Sequence, residues 1–168
     1  QIADIQPLEG LIHLEILNLG GNQISDLSAL RNLKRLEYLE LAGNKITDLD
    51  PIRGATDIET LNLFANQIHT LSPLAEMKQL TWLDVALNQI EDLSPLAEMV
   101  GMENLAVRFN RVRDLKPLAE MKVLKELHLT SNRVADLSPL AGLDSLVSLD
   151  LEYNEIEFIS SLGGLKNL

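Results

Sequence analysis

The chain has 168 residues, with 25 acidic against 14 basic side chains, a formal net charge of −11 and no cysteine. The acidic balance is the wrong sign for nonspecific nucleic-acid binding, which needs a basic footprint, and without cysteine there are no disulfides, zinc–thiolate sites or thiol nucleophiles. Hydrophobic residues make up 46% and aromatics 4%, yet no run reaches the roughly twenty consecutive apolar residues of a membrane span, so the composition describes a leucine-rich core under an acidic, solvated skin with no membrane insertion.

The chain opens inside a repeating unit. Ile2, Asp4, Ile5, Pro7 and Leu8 match Ile24, Asp26, Leu27, Ala29 and Leu30, one unit later. The first full unit, Leu14 to Arg35, reads LEILNLGGNQISDLSALRNLKR. Counted from Asn22 as zero, its apolar residues fall at −8, −5, −3, +2, +5, +8 and +11. The stretch Ile16-Leu17-Asn18-Leu19-Gly20 alternates with period two, which predicts a half-buried strand from −6 to −2. The same strand is expected at Tyr38, Thr60, Trp82, Asn104, Glu126 and Ser148, and identical units running one way predict a parallel sheet.

After each asparagine comes a turn and then a short segment such as Ser72-Pro73, Ser94-Pro95 or Ser138-Pro139. Serine before proline predicts a capping hydroxyl with proline at the first helical position. Only about five residues separate that proline from the next unit's first leucine, room for a 3₁₀ or single helical turn. Met77, Met99 and Met121 fill the +11 column as adaptable core residues. Asp26, Asp48, Asp92, Asp114 and Asp136 recur once per unit, which suits turn capping better than calcium ligation. At the far end Leu165 and Leu168 begin another unit. The expectation is one domain over residues 1–168, about seven 22-residue repeats cut within a repeat at both ends. Terminal caps are missing, so the natural protein is expected to be longer.

Asn22, Asn44, Asn66, Asn88, Asn110, Asn132 and Asn154 stand 22 residues apart without insertion or deletion. A carboxamide has two donors and an acceptor lobe, so the column is expected to be a structural ladder satisfying backbone groups where the chain leaves the strand.

The pattern LxxLxLxxNxI, present as Leu14 to Ile24, Leu36 to Ile46 and Leu80 to Ile90, resembles the leucine-rich repeat family. Units that end Asp-Leu-Ser-Pro-Leu-Ala, with NQISDLSALRNL and NQIEDLSPLAEM, are similar to the internalin and phosphatase-regulator subtype. The resemblance implies an α/β solenoid, a horseshoe with a concave parallel β-sheet and short 3₁₀ or helical turns on the convex side. It also implies a protein-binding scaffold without enzymatic activity. One branch is a bacterial adhesion protein, secreted or at the cell surface; another is a cytoplasmic regulator holding an enzyme such as a phosphatase. A third possibility is the substrate-recognition segment of a larger enzyme. Absence of cysteine-rich caps fits a bacterial or intracellular origin.

Function should lie where the repeat varies, at −6, −4, −2, −1 and +1 on the open face. The −6 column holds the large aromatics Tyr38 and Trp82. Phe64, Ala86, Leu87, Arg108 and Phe109 form an apolar strip with a guanidinium in it; exposed tryptophan, tyrosine and arginine, as at Trp82, Tyr38 and Arg108, are the residue types that dominate binding hot spots. Arg111 and Arg133 share the +1 column beside Arg108, inside a segment from Leu105 to Arg133 with seven basic residues against three acidic ones, whereas Glu37, Glu40, Glu59 and Asp84 occupy the earlier face. A bipolar face of this kind would orient a protein partner. Candidate partner-binding residues are therefore Tyr38, Phe64, Trp82, Leu87, Arg108, Phe109, Arg111, His128 and Arg133. His128, Asp150 and Ser148 come near one another in the columns, but an open sheet supplies neither oxyanion donors nor water exclusion. His13 and His69 fall in separate columns, which gives no metal site. No cofactor is expected, and a monomer is the expected state.

Overall fold

The computed structural model describes residues 1–168. Seven three-residue strands, β1 (Ile16–Asn18), β2 (Tyr38–Glu40), β3 (Thr60–Asn62), β4 (Trp82–Asp84), β5 (Asn104–Ala106), β6 (Glu126–His128) and β7 (Ser148–Asp150), form one parallel sheet in sequence order. Register follows the repeat: Leu17 pairs with Leu39, Leu61 with Leu83 and Leu105 with Leu127. Each unit returns over the other layer through a 3₁₀ turn, from Gln6–Leu8 and Ser28–Leu30 to Ser138–Leu140, with a last one at Ser160–Gly164. The architecture is an open solenoid, a horseshoe without an α-helix. No helix is long and apolar enough to cross a membrane.

One continuous core of 45 buried apolar residues runs between sheet and turns, made of the predicted columns. Leu39, Leu61, Leu105 and Leu127 at −5 are fully buried, as are Met77, Met99 and Met121 at +11. Toward the end of the array Leu149, Leu151 and Ile156 are only partly buried.

The asparagines form the expected ladder. Asn44 Oδ1 accepts the N–H of Ile24 at 2.9 Å, and its Nδ2 donates to the carbonyls of Leu41 at 2.9 Å and Leu19 at 3.0 Å. Asn66, Asn88, Asn110, Asn132 and Asn154 repeat this set; Asn22 holds the N–H of Ile2 at 2.8 Å. Each amide side chain thus joins two neighbouring units through otherwise open backbone groups.

Turn capping differs from expectation in one respect. The serine hydroxyls do not cap: Leu71, Leu93 and Leu137 stand at the N-cap positions, serine is the first turn residue and proline the second. The aspartate two residues before serine does the work. Asp92 Oδ1 accepts the N–H of Ser94 at 2.8 Å and Asp136 that of Ser138 at 2.8 Å, and the serine hydroxyls donate to the second carboxylate oxygens at 2.7 and 2.8 Å. Asp26, Asp48 and Asp114 make the same main-chain contact. A carboxylate on a longer arm reaches this N–H, while the serine hydroxyl is consumed as donor to it.

Strands are also shorter than expected, ending at −4 rather than −2. The chain then bends outward, and the −1 residue adopts left-handed backbone in every unit. Gly21 and Gly43 have φ of +68° and +64°, and Ala65, Leu87, Phe109, Ser131 and Tyr153 lie at +53° to +56°.

Candidate functional site

Alternation along the strands directs the −5 leucines inward and leaves the −6 and −4 side chains on the concave surface. Ile16 and Tyr38 are exposed there, while Trp82 and Asn104 are half-buried. At −2 the outcome varies, because this residue has left the strand: Phe64 and Arg108 reach solvent, whereas Ala86 is fully buried and Thr130 nearly so. Ala86 therefore drops out of the predicted apolar strip. Leu87 and Phe109 remain exposed, at 43% and 49%, held by the left-handed turn that follows the strand. A non-glycine residue there has Cβ against the following carbonyl, a conformation disfavoured by roughly 1–2 kcal/mol.

The concave face has one small depression, about 120 Å³, over the middle of the sheet. Trp82 and Asp84 from β4, Asn104 and Ala106 from β5, Glu126 and His128 from β6, and Arg108 line it. Its floor exists because Ala106, 7% exposed, is the one residue of the −4 column without a polar side chain. The column otherwise reads Asn18, Glu40, Asn62, Asp84, His128 and Asp150.

The rim is charged and only loosely paired. His128 Nε2 lies 3.7 Å from Glu126 Oε2 and its Nδ1 lies 4.0 Å from Asp150 Oδ2. That Nδ1 is buried and makes no hydrogen bond, so Ser148, His128 and Asp150 are not linked in a proton-relay chain. Asp84 is held above the usual aspartate value of 3.8, first by burial; the Ala86 N–H, Arg108 and His128 pull it back, and Glu40 adds to the rise.

Three of the predicted residues, Trp82, Arg108 and His128, thus meet in one depression. Tyr38 lies two strands away on β2, and Phe64, Leu87 and Phe109 follow the ends of β3, β4 and β5. Arg111 and Arg133 lie past the ladder asparagines and do not line the depression; Arg111 pairs with Glu91 at 3.6 Å. Sequence reasoning missed Ala106. Its signal was present, an alanine in a polar column, but a small residue draws no notice until its neighbours stand around it.

A leucine-rich repeat profile spanning two copies matches residues 34–76 and 122–167, and a second leucine-rich repeat profile matches residues 4–46. The chain belongs to the leucine-rich repeat family. Within the family it is similar to an internalin (inlF) of Listeria monocytogenes, at 38% identity over 99% of this chain and 49% of that one, with a TM-score of 0.97. An internalin C2 (inlC2) of Listeria monocytogenes is 39% identical over 99% of this chain and 74% of its own, also at 0.97. A leucine-rich repeat protein of Leptospira interrogans matches at 26% identity over 99% of this chain and 44% of that one, with a TM-score of 0.91. The chain thus spans about half the length of the first internalin. No curated protein sequence matches it. As a leucine-rich repeat protein of internalin type, it has the architecture of a protein-interaction scaffold.

Proposed function

We propose that this leucine-rich repeat array is the recognition segment of a bacterial adhesion protein, secreted or displayed at the cell surface, and that it binds an extracellular protein through its concave face. One observation carries the reading: left-handed backbone is held at the ends of β4 and β5 by Leu87 and Phe109, not glycine, with both side chains exposed. The scaffold meets this backbone with small residues in other units, glycine at Gly21 and Gly43 and the short side chains of Ala65 and Ser131. Large apolar groups placed in solvent at a conformational cost suggest a use outside the fold. Trp82, Arg108 and His128 beside them, with Tyr38 farther along the sheet, supply an aromatic and charged surface suited to partner binding. The likeness to two Listeria internalins at 38% and 39% identity supports the bacterial assignment.

Binding to a panel of purified receptor ectodomains tests this, with the native chain beside a Trp82→Ala, Arg108→Glu, Phe109→Ala variant whose circular dichroism and melting match it. An ectodomain held by the native chain and lost by the variant is the expected result. Equal retention by both would move binding to the convex side or the edges and sink the proposal.

A further inference from the structure

The −4 column follows a local rule. Its side-chain oxygen accepts the main-chain N–H two residues later: Asn18 from Gly20 at 3.1 Å, Glu40 from Ala42 at 2.7 Å, Asn62 from Phe64 at 3.0 Å, Asp84 from Ala86 at 2.8 Å, and Asp150 from Glu152 at 3.5 Å. Ala106 has no oxygen to offer, and the N–H of Arg108 has no acceptor in the chain. The N–H of Thr130, after His128, has none either, and the side chain there is an imidazole rather than a methyl group. Over Ala106 the space is open and forms the depression.

A second group beside Ala106 is also unfinished. Glu40 and Asn62 are register partners on β2 and β3, and Asn62 Nδ2 donates to Glu40 Oε2 at 2.7 Å while Glu40 Oε1 takes the N–H of Ala42. Both oxygens of Glu40 are therefore engaged. Asp84 and Ala106 are register partners in the same way on β4 and β5. Asp84 Oδ1 takes the N–H of Ala86, but its other oxygen accepts no hydrogen bond and the carboxylate makes no salt bridge. The carboxylate is half-buried, and burial raises its pKa although the Ala86 N–H and the Arg108 and His128 charges oppose the rise.

The depression therefore calls for one group that accepts from the Arg108 N–H and donates to Asp84. A carboxylate would accept but bring a third negative charge beside Asp84 and Glu126 with no proton to give. An ammonium or guanidinium would serve Asp84 but leave the Arg108 N–H open and face the Arg108 guanidinium. A hydroxyl also accepts and donates without charge, but from a single atom that would have to reach both groups; a carboxamide carries acceptor and donor on separate atoms, as Asn62 uses them one pair of strands earlier. We propose that the depression over Ala106 is a receptor for one carboxamide side chain, an asparagine or glutamine of the partner protein, seated against Asp84 and the Arg108 N–H as Asn62 is seated against Glu40 and the Phe64 N–H. The proposal rests on the concave-face reading and deepens it. Trp82 and Glu126 stand at its sides, and the volume of about 120 Å³ accommodates the end of a side chain.

The test fills the receptor from within. In Ala106→Asn the new amide takes both contacts in cis, so the Arg108 amide proton shifts downfield in a nitrogen–proton spectrum and the melting temperature does not fall. Ala106→Ser, smaller but also an acceptor, serves as the second blocker. A constrained random-peptide library is then selected on the full native chain and counter-selected on both variants. Expected clones bind the native chain, lose about tenfold or more on the variants, the worth of one to two hydrogen bonds, and share Asn or Gln at one position. Changing that residue to Asp, Lys or Ala lowers binding by a similar factor, and the native complex shifts the Arg108 amide. A fixed Lys, Arg, Asp, Glu, Ser, Thr or Tyr, no fixed residue, an unmoved Arg108 amide, or no clone sensitive to Ala106 overturns the proposal. Clones weakened by Trp82→Ala and Phe109→Ala but not by Ala106→Asn overturn the receptor alone, whereas clones indifferent to all three overturn the concave-face reading itself.

Discussion

Asn88 and Ile68 lie twenty residues apart and meet at 2.9 Å, the carboxamide oxygen of one accepting the main-chain N–H of the other. The same amide group donates to the carbonyls of Leu63, Val85 and Ala86 at 3.0 to 3.2 Å, so one side chain ties two units together. Asn88→Ala leaves a buried N–H without an acceptor and several carbonyls without a donor, and it should lower stability by about 3 kcal/mol. Asn88→Asp keeps the acceptor but loses the donors and places a charge in a site that is 8% exposed, so it should do no better. Urea unfolding checks both; a loss under about 1 kcal/mol for Asn88→Ala would refute the ladder as a major support.

The left-handed −1 column makes a different prediction. At Gly43, φ +64°, an added Cβ would meet only the Gly21 backbone at 3.6 Å or more, an ordinary contact. The penalty for a side chain there is therefore conformational. Gly43→Val should cost about 1–2 kcal/mol and Gly43→Asn much less, since asparagine tolerates this backbone and β-branched residues do not. Thermal melts of the two variants decide it, and equal effects would point to packing instead.

Titration of Asp84 opposes that of the turn-capping aspartates. Its folded pKa is raised, so the folded state binds the proton more tightly than the unfolded state, and stability falls as pH rises from 3.8 through the raised folded value. Asp92 and Asp136 are lowered by hydrogen bonds from Ser94 and Ser138, so their contribution is present above 3.8 and is lost as pH falls through their folded values. Asp84→Asn keeps an acceptor for the Ala86 N–H and removes a half-buried charge, and it should raise the melting temperature at pH 7 with little gain at pH 3. Asp92→Ala should lower it at pH 7 and matter less below pH 3. Melting curves across pH 2–8 test both signs.

Unit-to-unit differences in the turn cap supply a further test. Thr70 stands where six other units, the partial first one included, place aspartate, and its hydroxyl accepts the Ser72 N–H at 3.2 Å, longer than the 2.8 Å of Asp92 to Ser94. Thr70→Asp restores a charged acceptor and should add about 0.5–1 kcal/mol near neutral pH, the usual scale for such a cap. Calorimetry that shows no gain would mean the aspartates are tolerated at this position rather than stabilising.

The repeat by itself determined most of the architecture. With seven asparagines at constant spacing, the apolar columns have one stacking that turns them all inward with every strand in register, so the core, parallel sheet, ladder and outward-facing −6 and −4 columns were legible from periodicity. Three things were decided only in three dimensions. The capping group moved from serine to aspartate, because the reach of a carboxylate to an N–H two residues on depends on backbone angles that composition does not encode. Ala86 and Phe64 parted, one buried and one exposed, because the −2 residue lies beyond the strand, where alternation no longer sets direction. The site over Ala106 came into view last. It is defined by a missing oxygen, and a missing oxygen becomes a feature only when the Arg108 N–H and the Asp84 carboxylate, on separate strands in β4 and beyond β5, are placed around it.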